Sequence, residues 1–343
     1  MIAKSLGVHL GAFGVSALIA FQVLVSGEEP TVQADALIWQ APIEQLERVE
    51  YVKDDSRLLL EAQQDELGRY YVATLEREVE GKQNKSAAPE GADAGPPTAP
   101  PAAEPERETI RFIAVENANE LGEQLAKLNA VRDLGMVEPD RLEDYGLDDE
   151  TLPRLSVTLR GSVRHLKVGG KAPGDGDVYV QTESDGRVYA VSGRIARELE
   201  AAQSRLMERA LHTWPTEQAN QARVELGEQV AELVQLPNTN GSWAKASAPD
   251  EKDETATNWV RKVLRLRVTR YLEHPAQQPE LLVRVQYISE SGKALGFVEL
   301  ARVPSSEGPK HDYLVRSETT RWWGLVPTSS AEALAQDANS LVQ

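Results

Sequence analysis

The chain has 343 residues, 41% of them apolar and 27% charged, so it can bury a core and wholesale disorder is excluded. Its 54 acidic residues against 37 basic ones give a formal charge of -17, which repels phosphate backbones; without a compensating basic stripe, nucleic acid is excluded as a partner. The absence of cysteine removes disulfides, thiolate metal sites, a cysteine nucleophile and a lipid-bearing cysteine.

Ser5 to Ser26 carries no charged side chain. At about 1.5 Å per residue this stretch spans roughly 33 Å, enough to cross the hydrocarbon core of a bilayer. Lys4 lies on one side of it, Glu28 and Glu29 on the other. The positive-inside rule therefore predicts a cytoplasmic tip over 1–4, a transmembrane helix over 5–26 contacting the lipid bilayer, and everything later outside the cytoplasm. A cleaved signal peptide is the competing reading, because Val25 and Gly27 are small; against it, the apolar run is long and no A-x-A follows.

Internal similarity organises the rest. Trp39 precedes Arg48-Val49-Glu50 by nine residues, and Trp214 precedes Arg223-Val224-Glu225 by nine. Tyr179–Glu183 ahead of Arg187-Val188-Tyr189 has its counterpart in Tyr313–Ser317 ahead of Arg321-Trp322-Trp323. Each pair of strands leads into a helical pattern, over about Gly193–Leu211 in one copy and around Ala333, Leu334 and Leu341 in the other. A central helix is expected in each copy, one carrying Leu121 to Arg132 and one carrying Trp259 to Arg267. Two tandem modules follow, 31–212 and 213–343. Strand alternation such as Leu155-Ser156-Val157-Thr158-Leu159, with glycine turns at Gly169-Gly170 and Gly174-Asp175-Gly176, makes each an α+β unit of mainly antiparallel sheet with covering helices. Copy one alone carries an Ala/Pro/Glu-rich insertion over 81–108, too poor in large apolar residues to order itself by burial, and so expected to be disordered.

Chemistry is sparse. The five histidines have no metal-ligand spacing, and no nucleophile elbow, phosphate loop or dinucleotide fingerprint is present. No catalytic residue, no metal ligand and no cofactor is assigned, and a non-enzymatic role is expected. Trp322 and Trp323 are the candidate partner-binding residues. On a strand the two would face opposite ways, one into the core and one outward, where an exposed indole suits a protein or a glycan. A glycan-binding envelope module is the alternative function, and an envelope hydrolase using carboxylates that spacing does not single out is a further one.

A set of motifs lies between Phe112 and Leu211: Leu125-Ala126-x-Leu128-x-Ala130-x-Arg132, then Leu142-x-x-Tyr145-Gly146-Leu147-Asp148, then Lys167-Val168-Gly169-Gly170-Lys171-x-Pro173, Tyr179-Val180 and Val188-Tyr189-x-Val191. In these the chain resembles the bacterial domain-of-unknown-function-4340 family. The second copy lacks the Tyr-Gly-Leu-Asp and Gly-Gly-Lys elements. The resemblance implies a single-pass inner-membrane protein with a periplasmic body. It further implies an accessory role beside the permease or auxiliary subunits of ABC-type transporters of the gliding-motility kind. It supplies no catalytic residue.

Overall fold

The computed structural model describes residues 36–79, 106–173, 176–237, 239, 241–305 and 310–342. The expected transmembrane helix over 5–26 and most of the 81–108 insertion lie outside the described residues. No helix among the described residues is long and apolar enough to cross a membrane.

In the first half, β1 (Ala36–Gln40) leads through a short 3-10 turn into β2 (Leu46–Lys53), β3 (Ser56–Asp65), β4 (Gly68–Val79) and β5 (Glu106–Ala114). Helix α1 (Glu116–Ala126), β6 (Lys127–Ala130) and β7 (Arg132–Met136) follow. Then come β8 (Arg154–Leu159), β9 (Ser162–Lys171), β10 (Val178–Thr182), β11 (Arg187–Val191), α2 (Gly193–Glu200) and the four-residue α3 (Ala202–Arg205). The second half contains β12 (Ala219–Leu226), β13 (Gln229–Gln235), β14 (Trp243–Lys245), α4 (Glu254–Arg265), β15 (Arg270–Leu272), β16 (Glu280–Ser289), β17 (Ala294–Pro304), β18 (His311–Ser317), β19 (Trp323–Leu325) and α5 (Thr328–Ala338).

The strands form a nine-stranded sheet ordered β5-β4-β3-β2-β8-β9-β10-β11-β7, an eight-stranded sheet ordered β14-β13-β12-β16-β17-β18-β19-β15, and a β1–β6 ribbon. Removing β5 from the first makes the two orders superimpose strand for strand. The helices also occupy equivalent places: α1 and α4 precede β7 and β15, and α2 and α5 follow β11 and β19. Even the entry matches, since Pro42 and Pro215 each precede a 3-10 turn that opens β2 or β12. The fold is α+β with two antiparallel sheet modules. Alternation drives it: Leu155, Val157 and Leu159 of β8 point inward, as do Val283, Val285 and Tyr287 of β16, with polar neighbours between them. One contiguous apolar core runs through both sheets.

Four expectations are corrected. The central helix of copy one ends at Ala126, because Trp39 Nε1–H donates to the Leu125 carbonyl (2.8 Å) and Ala41 N–H to that of Ala126 (2.8 Å). The β1 strand thereby satisfies the helix end, and residues 127–136 continue as strands. In copy two the helix likewise stops at Arg265, short of Leu266 and Arg267. The helix expected over 193–211 ends at Glu200 and resumes only over Ala202–Arg205, since the chain beyond runs extended to join Glu208 N–H to the Ile113 carbonyl. Residues 106–108 belong to β5, paired across to 77–79, with Arg77 and Glu108 forming a 2.8 Å ion pair.

The fourth concerns Gly169-Gly170, which lies inside β9 and makes no turn. Its role is close approach. A Cβ on Gly169 would sit 2.7 Å from the Tyr145 carbonyl oxygen and 2.8 Å from the Leu147 side chain. The Tyr145-Gly146-Leu147 segment therefore rests directly on the β9 backbone, with Gly146 left-handed at φ 60°. Leu147 anchors a small satellite core with Tyr179, Val188 and Ala190. Gly169→Ala should cost about 1–2 kcal/mol in denaturant-measured stability through overpacking. An unchanged unfolding midpoint would refute this account of the motif.

Candidate functional site at the module junction

The two sheets meet along the extended segment that follows α3. Met207 bridges Ala114 on β5, Glu208 N–H donates to the Ile113 carbonyl (2.9 Å), and Val268 N–H donates to the Arg209 carbonyl (3.0 Å). The segment thus caps the outer edge of the first sheet and passes the contact on to the second. Tyr271 adds its hydroxyl, donating to the Glu208 carbonyl at 2.8 Å. Burial pushes the ionisation of Tyr271 well above the ordinary phenol range, so this group stays a donor.

Opposite this segment lies the turn joining β18 to β19, Ser317–Trp322. Ser317, Glu318, Thr319 and Thr320 are all buried, an unusual density of polar residues for an interior. Ser317 and Thr320 satisfy each other: Ser317 N–H donates to Thr320 Oγ1 (2.9 Å) and Thr320 N–H to Ser317 Oγ (3.2 Å). Arg321 then takes the left-handed conformation, φ 58°, which turns its side chain out of the second sheet.

Glu318 is the hub. Its Oε1 accepts from His212 Nδ1–H (2.7 Å) and Trp214 Nε1–H (3.0 Å), and its Oε2 from the Phe297 backbone N–H (2.8 Å). The His212, Trp214 and Tyr287 rings close round it with centroids 4.4–5.1 Å apart. Gly296 leaves room for the carboxylate, since a Cβ there would overlap all three carboxyl atoms. His212 Nε2 and the Tyr287 hydroxyl are buried without a partner among the described residues. Both suit a bridging water or a small polar molecule.

Arg321 and Trp322 carry the turn across to the first module. Arg321 Nε and Nη2 donate to the two carboxylate oxygens of Asp65 at 2.6 and 2.9 Å, and its guanidinium lies 4.0 Å from the Tyr70 ring centroid. This pairing holds the Asp65 carboxyl below its usual range, the Arg321 hydrogen bond being the largest cause. Trp322 is half-buried, with Arg111 5.4 Å above its ring and Tyr271 edge-on at 6.4 Å; Arg111 also pairs with Glu273. Trp323, the other candidate, is half-buried on β19 beneath Arg316, whose guanidinium is 4.8 Å from the ring. The expectation that one indole is core and one exposed is corrected. Trp322 precedes β19, and both rings are half-buried under an arginine.

Spacing does not reveal the hub, because His212 and Glu318 stand 106 residues apart. The available signal is the clustering of His212 and Trp214 in the linker together with a five-residue polar run, Ser317–Arg321, inside an otherwise apolar strand pair. Among the described residues no group of three or more histidine, aspartate or glutamate side chains is placed to hold a metal.

Two sheets of one strand order, joined by a buried polar seam, define a doubled antiparallel α+β protein. A family model described as a domain of unknown function, DUF4340, matches residues 112–283, half of the chain, and the chain belongs to that family. The match begins in β5, takes in Tyr145–Asp148 and Gly169-Gly170, and continues through the junction into β16. No curated protein and no solved structure matches the chain.

Proposed function

We propose that this protein is a non-enzymatic accessory subunit of an ABC-type transporter complex. Residues 5–26 anchor it in the bacterial inner membrane and the two sheet modules, 31–212 and 213–343, stand on the periplasmic side as an interaction body. Membership of the DUF4340 family is the observation that carries the reading. Supporting it, the family-like motif residues Tyr145, Gly146, Leu147, Gly169 and Gly170 do packing work, consistent with a scaffold. Residues 27–35 reach at most about 30 Å when extended, so β1 and its ribbon partner β6 stay close to the bilayer.

The partner-facing surface we favour is the β7 edge of the first sheet. Its other edge, β5, is already capped by residues 207–208, whereas among the described residues β7 pairs only with β11 and ends on Met136, which is 69% exposed. Copurification of the full chain in mild detergent should recover a permease or auxiliary subunit, and Met136→Lys should reduce that recovery severalfold. Recovery free of any transporter subunit, or body residues protected from protease added to spheroplasts, would refute the proposal.

A further inference from the structure

The β1–β6 ribbon is a sheet of its own beside the two large ones. Its register sets Leu37 opposite Asn129 and Gln40 opposite Lys127, with Trp39 opposite Leu128. A bulge at Ile38 keeps Leu37 and Gln40 on the same side. Burial alternates along β6 and on to the next residue: Leu128 and Ala130 are buried, whereas Lys127, Asn129 and Val131 are exposed. One face of the ribbon therefore joins the core, and Leu37, Gln40, Lys127, Asn129 and Val131 form the other.

That outward face has an apolar end. Leu37 is 50% exposed and Val131 47%. The position of Val131 is fixed, because its N–H donates to the Ala190 carbonyl of β11 at 2.8 Å. The face carries no acid, although acids outnumber bases 54 to 37 in the chain. Lys127 and the neighbouring Arg132 are exposed and form no ion pair among the described residues.

The place of this apolar end names its partner. Ala36 pairs with Ala130, so the chain enters β1 at the end of the ribbon where Leu37 and Val131 lie. Leu37 is eleven residues from Ser26, hence at most about 40 Å from it. Two exposed side chains hold a free protein on lipid only weakly. A tether this short raises their effective concentration to the order of millimolar, where a weak contact suffices. The connector carries Glu28, Glu29 and Asp35, and Lys127 and Arg132 offset that charge.

We propose that the outward face of the ribbon docks on the periplasmic surface of the phospholipid bilayer. Leu37 and Val131 enter the boundary between headgroups and acyl chains, and Lys127 and Arg132 lie along it with their charges at lipid phosphates. The inference rests on the reading of residues 5–26 as a membrane anchor. Docking also orients the body: β7 begins at Arg132, so Met136 stays within about 17 Å of Val131, in reach of a membrane-embedded subunit.

The lack of cysteine makes a test direct, since one introduced thiol takes one fluorophore. Full-length Leu37→Cys, Asn129→Cys and Val131→Cys are compared with Ser16→Cys in the anchor. Val230→Cys and Leu281→Cys, at positions 42% and 52% exposed on the second sheet, are the controls. Each is labelled and placed in nanodiscs of phosphatidylethanolamine and phosphatidylglycerol, with and without nitroxide-bearing acyl chains. The nitroxide should remove most of the emission at positions 16, 37 and 131, part of it at 129, and almost none at 230 and 281. Leu37→Asp with Val131→Asp should abolish the quenching at 129 and leave that at 16. Both aspartates sit at exposed positions, and circular dichroism verifies the fold. Quenching at 16 without quenching at 37 and 131 would overturn the docking and keep the anchor. Equal quenching at 230 and 281, or undiminished quenching at 129 in the double aspartate variant, would also overturn the docking. No quenching at 16 would overturn the anchor and the docking together.

Discussion

Replacing Glu318 with alanine is expected to lower the unfolding free energy by about 3–5 kcal/mol, the largest single-residue effect anticipated outside the apolar core. Three donors lose their acceptor at once: His212 Nδ1–H, Trp214 Nε1–H and the Phe297 N–H. Each buried donor left without a partner costs roughly 1–3 kcal/mol, and water entering the space returns part of it. Alanine also opens a void among the His212, Trp214 and Tyr287 rings. Glu318→Gln should cost less, about 2 kcal/mol, because its amide keeps one oxygen acceptor but sets an N–H₂ group against the remaining donors. Gly296→Ala is expected to resemble Glu318→Ala, since its methyl would occupy the carboxylate's position. Urea unfolding followed by tryptophan fluorescence measures the loss, with Trp214 one of the six indoles that contribute to the signal. A loss below about 1 kcal/mol for Glu318→Ala would mean that the hub is an ornament of the junction and not its support.

Why this hub escapes a reading of the sequence while the sheets do not is a matter of range. The strands announce themselves through neighbours: Leu155, Val157 and Leu159 alternate inward over five residues, and so do Val283, Val285 and Tyr287. The tandem arrangement is visible for a similar reason, because Arg48-Val49-Glu50 and Arg223-Val224-Glu225 enter the same place in equivalent central strands, with Val49 and Val224 wholly buried. Helix ends are less legible. Leu128 and Ala130 continue an apolar spacing that fits a helix, yet their burial is satisfied on a strand once Trp39 and Ala41 have taken the last helical carbonyls. Gly169-Gly170 reads locally as a turn, and only the arrival of Tyr145 and Leu147 over it explains why β9 needs two residues without side chains. At the junction every decisive contact is long-range: Arg321 to Asp65 joins residues 256 apart. Such pairings have no periodicity. What the sequence does carry is a local anomaly, a polar run between apolar strands, and that anomaly marks the place where the two sheets are tied.

The tie itself should respond to both substitution and acid. Arg321→Ala removes a two-pronged ion pair with Asp65, a ring contact with Tyr70 and a donor to the Thr319 carbonyl (2.9 Å), and it leaves a β-carbon at a left-handed backbone position. Asp65 retains about a third of its exposure, so solvent screens part of the charge term; about 2–3 kcal/mol of local stability is expected to go. Amide exchange in the β3–β4 hairpin and in Ser317–Thr320 would then speed up about 30- to 100-fold, while exchange in the β9–β10 pair, remote from the contact, stays unchanged. Lysine at 321 should rescue little, since it offers neither the paired donors nor the planar face over Tyr70. Acid acts on the other partner. The folded-state carboxyl of Asp65 ionises below its unfolded value, so the pairing contributes fully above the ordinary aspartate range near pH 4. It is lost as pH falls through the depressed folded-state value. Exchange at the hairpin should therefore be flat from pH 7 to about pH 5, after correction for the intrinsic rate, and rise below that range. Asp65→Asn should exchange faster at neutral pH and lack the acid-dependent rise. If the acid step persisted in Asp65→Asn, another carboxylate would be fastening the modules, and Glu273, paired with Arg111 above Trp322, would be the next to replace.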